Sequence, residues 1–254
     1  IYNFSNMKMF KNPATILTLI FTLFIFIFVA KSAITMISTP FYDFDEAHRA
    51  ENAKRMKEYG SFFVPLTGSS QDRVEHLKIP LKENSDFYLY YHLERPPLIY
   101  DLMILSTSVF GSSEWAYRLP SFLLGLMALI VFYIFAKMEK PSNYFAISVG
   151  FVALITSADL WLSSQYAQMD AGITLFLTLS LLTLIIFCQT RRILLLYLAG
   201  IFFGLGLMSK LQPAIIFSFP ILFLLLTKKL LLKDFLKFMA GSLLIFGPWL
   251  LYLV

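Results

Sequence analysis

The stretch PATILTLIFTLFIFIFVAKSAITMI, from Pro13 to Ile37, carries a single charge, Lys31, and exceeds the roughly 20 apolar residues that cross a hydrocarbon core. It is too long for the apolar centre of a secretory signal and lacks a small-residue cleavage site, so it reads as a retained membrane anchor. Further apolar runs lie at about 119–136, 144–162, 171–188, 193–208, 213–226 and 235–254. The expected fold class is therefore all-α, a polytopic integral membrane bundle of about seven spans forming one transmembrane module over 1–254. A composition of 58% hydrophobic residues, with 27 Phe and 13 Tyr, suits lipid-facing and interfacial positions and excludes a single water-soluble core. The lone Cys188 lies in an apolar run and reads as packing.

Charge sets the expected orientation. If all seven runs span, one set of connections holds Lys8 and Lys11, Lys137 and Lys140, Arg191 and Arg192, then Lys228, Lys229 and Lys233, while the opposite short connections hold little beyond Lys210. By the positive-inside rule the N-terminus is cytoplasmic and Asp45 and Asp170 lie outside. The segment 97–110 is apolar but extends only about 21 Å as a helix, so it reads as re-entrant or interfacial. The large outer loop then runs over about 38–118. Within it Asp43 is placed to cap a helix whose third residue is Glu46 and which Gly60 ends. Ala47, Ala50, Ala53 and Met56 give that helix a narrow apolar stripe, which predicts that it lies on the membrane surface. The polar stretch 67–86, with Gly68 and Pro80, reads as a flexible excursion. The aromatic cluster 87–91, ending in Tyr91, fits either the headgroup interface or a sugar-stacking surface.

The candidate site residues sit on this outer side. Asp45 and Glu46 in a first helical turn are favoured by the helix dipole, and a carboxylate at the membrane rim is equally suited to take a proton from an attacking hydroxyl. Asp170, at the start of a span, is either a cap or a functional acid. Arg95, Arg118 and Lys210 are cations where the charge rule disfavours them; they either snorkel to headgroups or hold a lipid phosphate. His48, His76 and His92 share the loop, but their spacing matches no metal motif. No glycine-rich phosphate loop, paired-cysteine site or serine nucleophile elbow is present. Gly200, Gly204 and Gly206 mark close helix packing.

The segments DFDEAHRAENAKRMKEYGSFFVPLTG from Asp43, ERPPLIYDLMILSTSVFGSSEWAYRLPS from Glu94, QYAQMDAGITLFLTLSLL from Gln165 and GLGLMSKLQPAI from Gly204 occur in that order. Together they resemble membrane glycosyltransferases of the GT-C class, in particular the protein O-mannosyltransferase and aminoarabinose transferase superfamily. The resemblance implies a polyprenyl-phosphate-linked sugar as donor, a protein, lipid or glycan acceptor, and transfer with inversion on the extracytoplasmic face. It implies Asp45 as general base, with Glu46 and Asp170 either orienting acceptor and sugar or supporting the developing positive charge. It further implies that Arg95, Arg118 and Lys210 neutralise the departing phosphate, with His48 and Tyr91 in the substrate-binding set. It implies no firm cofactor, leaves a divalent metal open, and gives no nucleic-acid partner. His48 and Arg49 follow the mannosyltransferase pattern more than the aminoarabinose one. Arg95 stands where Lys is usual, and Leu211 and Gln212 follow Lys210 where Gly is usual. The expectation is the N-terminal module of a longer chain in a prokaryotic plasma membrane. A transporter, or a non-catalytic lipid-binding subunit using the same charges, is the competing class.

Overall fold

The structure, a computed structural model, describes residues 13–69, 79–80, 88–91, 95–138, 149–150, 152–154, 157–212 and 214–253. The apolar run of the first segment forms α1 (Pro13–Ser38). The outer loop carries α2 (Phe44–Tyr59), β1 (Leu66–Ser69), β2 (Ile79–Pro80), β3 (Tyr88–Tyr91) and α3 (Leu98–Phe110). The bundle continues with α4 (Glu114–Met138), α5 (Ala158–Gln165), α6 (Asp170–Thr190), α7 (Leu194–Ser209), α8 (Ala214–Leu226) and α9 (Leu232–Leu253).

Among the described residues, α1, α4, α6 and α9 are long and apolar enough to cross a membrane, whereas α3, α7 and α8 are apolar but shorter. The 16 residues of α7 extend only about 24 Å. The expected span over 144–162 lies partly outside the described residues. In the described part, Ser157 is extended (φ −64°, ψ 120°), so α5 is a separate short helix. Side chains such as Phe26, 71% exposed, and Leu251, 81% exposed, cover the outside of the bundle, as lipid solvation rather than water requires. Lys31, the one charge within α1, places its ammonium 4.9 Å from the centre of the Trp161 ring.

Two expectations for the outer loop are corrected. Of the stretch 67–86, read as a flexible excursion, residues 67–69 and 79–80 are strand and the rest lies outside the described residues: β1, β3 and β2 form an antiparallel sheet in that order, with Leu66 opposite Tyr91 and Ile79 opposite Leu89. The bundle is all-helical as expected, and among the described residues the loop adds this small sheet. The stripe of α2 is not a membrane contact either. Ala50, Ala53 and Met56 are buried in a cluster with Ile99, Tyr100 and Met103 of α3, so protein fills the groove that lipid was expected to fill.

Small residues and one proline set the packing that shapes the site. A Cβ on Gly200 would strike the Phe238 carbonyl and one on Gly241 the Tyr197 carbonyl, so α7 and α9 meet backbone to backbone. Pro120 inside α4 lacks the N–H that would bond to Ala116, and the Ser106 hydroxyl of α3 donates to that carbonyl instead, at 2.6 Å. The outer loop is thereby fastened to the bundle at one point where the α4 ladder is broken.

Candidate active site

The start of α2 is built as its sequence dictates. The Asp43 side chain accepts from the Glu46 amide at 2.7 Å, and Gly60 closes the helix in the left-handed region at φ 69°. Glu46 returns its carboxylate to the Tyr42 amide at 2.7 Å, one residue upstream of the cap. Asp45 and Glu46 are neighbours in sequence, but a helix turns by about 100° between them and they point into different surroundings. Asp45 is 58% exposed and Glu46 is wholly buried.

Glu46 meets Arg118 of α4 in a two-pronged ion pair, Nε to Oε1 at 2.7 Å and Nη2 to Oε2 at 3.0 Å, with both side chains 0% exposed. The Ala167 amide also donates to Oε1, at 2.9 Å. Arg118 spends its remaining donors on the Thr39 and Pro40 carbonyls at 2.7 and 2.8 Å, and its guanidinium lies against the rings of Phe41 and Tyr166. One buried pair thus ties together the end of α1, the start of α2, α4 and the segment leading to α6. Ser121 fixes the same segment by donating to the Gln168 carbonyl at 2.8 Å. Glu46 and Arg118, both in the expected site set, are spent on each other and line none of the cavity that the other charges form.

The other expected charges converge. A cavity of about 450 Å³ is walled by Asp45 and Arg49 of α2, Arg95 and Pro96 before α3, Met169 and Asp170 at the start of α6, and Lys210 to Gln212 after α7. Asp45, Arg95, Asp170 and Lys210 are drawn from four places along the chain, up to 165 residues apart, to one opening. Gly172 permits the approach: a Cβ there would lie 2.7 Å from Ile99 Cδ1 and 2.8 Å from Ser209 Oγ, so α6 can sit directly against the starts of α3 and the end of α7. Within the cavity Lys210 bonds to Asp170 at 2.8 Å, and Arg49 bonds to Asp45 at 3.0 Å while reaching toward the Ala167 carbonyl at 3.5 Å.

Arg49 was not among the expected site residues. Its signal was present, since a residue four positions after Asp45 lies on the same helix face. His48 stacks on Phe44 with ring centres 5.7 Å apart. Burial, then the charges of Arg95 and Arg55, hold its imidazole below the ordinary value against the opposing pull of Asp45, so it is neutral at pH 7. It does not line the cavity. Tyr91 ends β3 four residues before Arg95, and its backbone pairs with Leu66. His76 and His92 lie outside the described residues.

Three cations, Arg49, Arg95 and Lys210, face two carboxylates, Asp45 and Asp170, so the ionised wall carries one net positive charge. Such a wall favours a monoanion, and favours it more as negative charge grows.

The family model for dolichyl-phosphate-mannose-protein mannosyltransferase matches residues 94–252. A protein of Aquifex aeolicus (strain VF5), described as uncharacterized, is 27% identical over 214 residues, covering 82% of this chain and 38% of that protein. The crystal structure of ArnT from Cupriavidus metallidurans bound to undecaprenyl phosphate shares the fold with a TM-score of 0.66 at 16% identity, over 91% of this chain and 40% of that one. The apo structure of the same protein gives 0.63 at 17%, over 91% and 42%. The chain thus spans about two fifths of the length of these relatives. With well over half of its residues matched by the family model, the chain belongs to the dolichyl-phosphate-mannose-protein mannosyltransferase family.

Proposed function

We propose that this cavity binds the phosphate and sugar of a polyprenyl-phosphate-linked donor and transfers the sugar, with inversion, to a hydroxyl-bearing acceptor on the extracytoplasmic face of the membrane. The observation that carries this reading is the convergence of Asp45, Arg49, Arg95, Asp170 and Lys210 on one opening at the end of the bundle. A glycosyl phosphate diester brings one negative charge to a wall with one positive charge.

In the transfer, Asp45 takes the proton of the acceptor hydroxyl as its oxygen bonds to the anomeric carbon. Arg49 engages only one Asp45 oxygen, Oδ2, and leaves Oδ1 for that proton. The bond from the anomeric carbon to the phosphate oxygen breaks, its electron pair stays on the phosphate, and one displacement inverts the carbon. The leaving polyprenyl phosphate gains negative charge that the sugar phosphate diester lacked. Arg95 and Lys210 face it, Arg as a planar fork and Lys as a point charge, and so act more strongly on the transition state than on the bound donor. Asp170 holds the Lys210 ammonium in place. Glu46 and Arg118 hold the helix that carries Asp45 at a fixed position relative to α4 and α6. Undecaprenyl phosphate bound to ArnT supports a polyprenyl carrier here.

The test is transfer from a panel of polyprenyl-phosphate sugars by the full-length protein in membranes, with nucleotide sugars as the comparison. Transfer from a lipid-linked donor and none from nucleotide sugars is expected. Transfer from nucleotide sugars alone would overturn the reading, and tight lipid binding without any transfer would favour a non-catalytic lipid-binding subunit.

A further inference from the structure

Behind the cavity wall lie four buried polar atoms without a hydrogen-bond partner: Nε of Arg49, Oδ1 and Nδ2 of Asn52, and Oη of Tyr100. Asn52 and Tyr100 are both 0% exposed. Asn52 lies on the inward face of α2 three residues after Arg49, and Tyr100 lies on the face of α3 that packs against it. The Tyr100 hydroxyl stands near both the Asn52 carboxamide and the Arg95 guanidinium, in geometries that fall short of hydrogen bonds. Burial keeps the phenol protonated, so it is at once a donor and an acceptor. If these positions served packing alone, Leu and Phe would fill the same space without stranding polar atoms, which is costly in a protein interior. Arg49 and Arg95 line the cavity, and the buried Asn52 and Tyr100 follow them closely in sequence, on α2 and α3.

We propose that Asn52 and Tyr100 are positioning residues that aim the Arg95 fork at the donor phosphate, Tyr100 Oη accepting an N–H of Arg95 from behind and donating to Asn52 Oδ1 once the anion is bound. This rests on the reading of Arg95 as a phosphate contact. Closure of the buried hydrogen bonds would then be coupled to occupation of the cavity, so that part of the affinity for the phosphate originates in residues that never touch it.

The experiment measures binding of a polyprenyl monophosphate, with the corresponding polyprenol as control, to the full-length protein and to Tyr100→Phe, Arg95→Ala and the double variant. Asn52→Leu serves as a second, similarly sized probe, and the unfolding midpoint of each is recorded. Tyr100→Phe and Asn52→Leu are expected to weaken phosphate binding about tenfold, as for one hydrogen bond to a charged group, at an unchanged or raised midpoint, since each removes stranded polar atoms, and with polyprenol binding unaffected. Tyr100→Phe should have no further effect once Arg95 is Ala. Equal losses in both backgrounds, losses that track a lowered midpoint, or a changed polyprenol affinity would overturn the positioning role. Weak binding by Arg95→Ala with normal binding by Tyr100→Phe would overturn it while leaving the phosphate reading standing. Normal binding by Arg95→Ala would instead overturn that reading itself.

Discussion

Replacing Glu46 by Gln keeps the shape of the side chain and removes its charge, and the structure sets the cost. The two carboxylate oxygens accept four hydrogen bonds, from Arg118 Nε and Nη2 at 2.7 and 3.0 Å, from the Ala167 amide at 2.9 Å and from the Tyr42 amide at 2.7 Å. In Gln one of those oxygens becomes an NH2 group that confronts two donors. The Arg118 guanidinium, 0% exposed, loses its counter-charge. Breaking a buried pair from one side costs about 3–5 kcal/mol, against about 1 kcal/mol or less for an exposed pair. Against the roughly 5–15 kcal/mol that holds a domain folded, that is a fifth at the least. Equilibrium unfolding of the full-length protein in detergent should show this loss for Glu46→Gln. Arg118→Met should lose a similar amount, and the double variant Glu46→Met/Arg118→Met less than the sum of its single changes, because no uncompensated charge is then left inside. Wild-type stability of Glu46→Gln together with abolished transfer would refute this reasoning and return Glu46 to the substrate.

Asp101 in the short helix α3 has a buried, unpartnered Oδ1, and burial pushes its carboxyl up to about 7. The unfolded chain releases this proton near pH 4 and the folded one near 7, so the folded state binds more protons in between and stability falls as pH rises through that window. Asp101→Asn should therefore raise the unfolding midpoint at pH 8 but not at pH 4; an equal difference at both values would contradict the assignment. Gly172→Ala places a methyl 2.7 Å from Ile99 Cδ1 and should cost about 1–3 kcal/mol. It should also raise the donor KM by shifting Asp170 relative to Lys210, with both effects partly relieved by Ile99→Val. Loss of stability with an unchanged KM would separate that packing from the site.

The local signals of this chain were legible. The run from Pro13 gave α1, and Asp43, Glu46 and Gly60 gave α2 its start, its reciprocal cap and its end, because each of these depends on residues within a turn of one another. The cations and acids expected on the outer side include four of the five charged residues of the cavity wall, since a charge at a membrane boundary stands out against its surroundings whatever its partner. Partner choice was not legible. Glu46 and Arg118 are 72 residues apart, and no local pattern shows that they neutralise each other rather than a substrate. The phase of α2 holds part of the answer: Ala50, Ala53 and Met56 of the apolar stripe are buried along with Glu46 and Arg49, but nothing within the helix distinguishes a face covered by α3 from one covered by lipid. The sheet is hidden from the sequence for a related reason. The pairing of Leu66 with Tyr91 is long-range, and strands as short as β1 and β2 leave too few residues to show an alternating pattern.

The most direct test is the rate of sugar transfer by the full-length protein and by Asp45→Asn at matched expression, with the donor that the panel identifies. Asn preserves size and a hydrogen bond to Arg49 but cannot take up the hydroxyl proton. Transfer should fall about 10² to 10⁴-fold while donor binding stays within a few-fold of wild type. Transfer by Asp45→Asn at the wild-type rate would contradict the account at its centre.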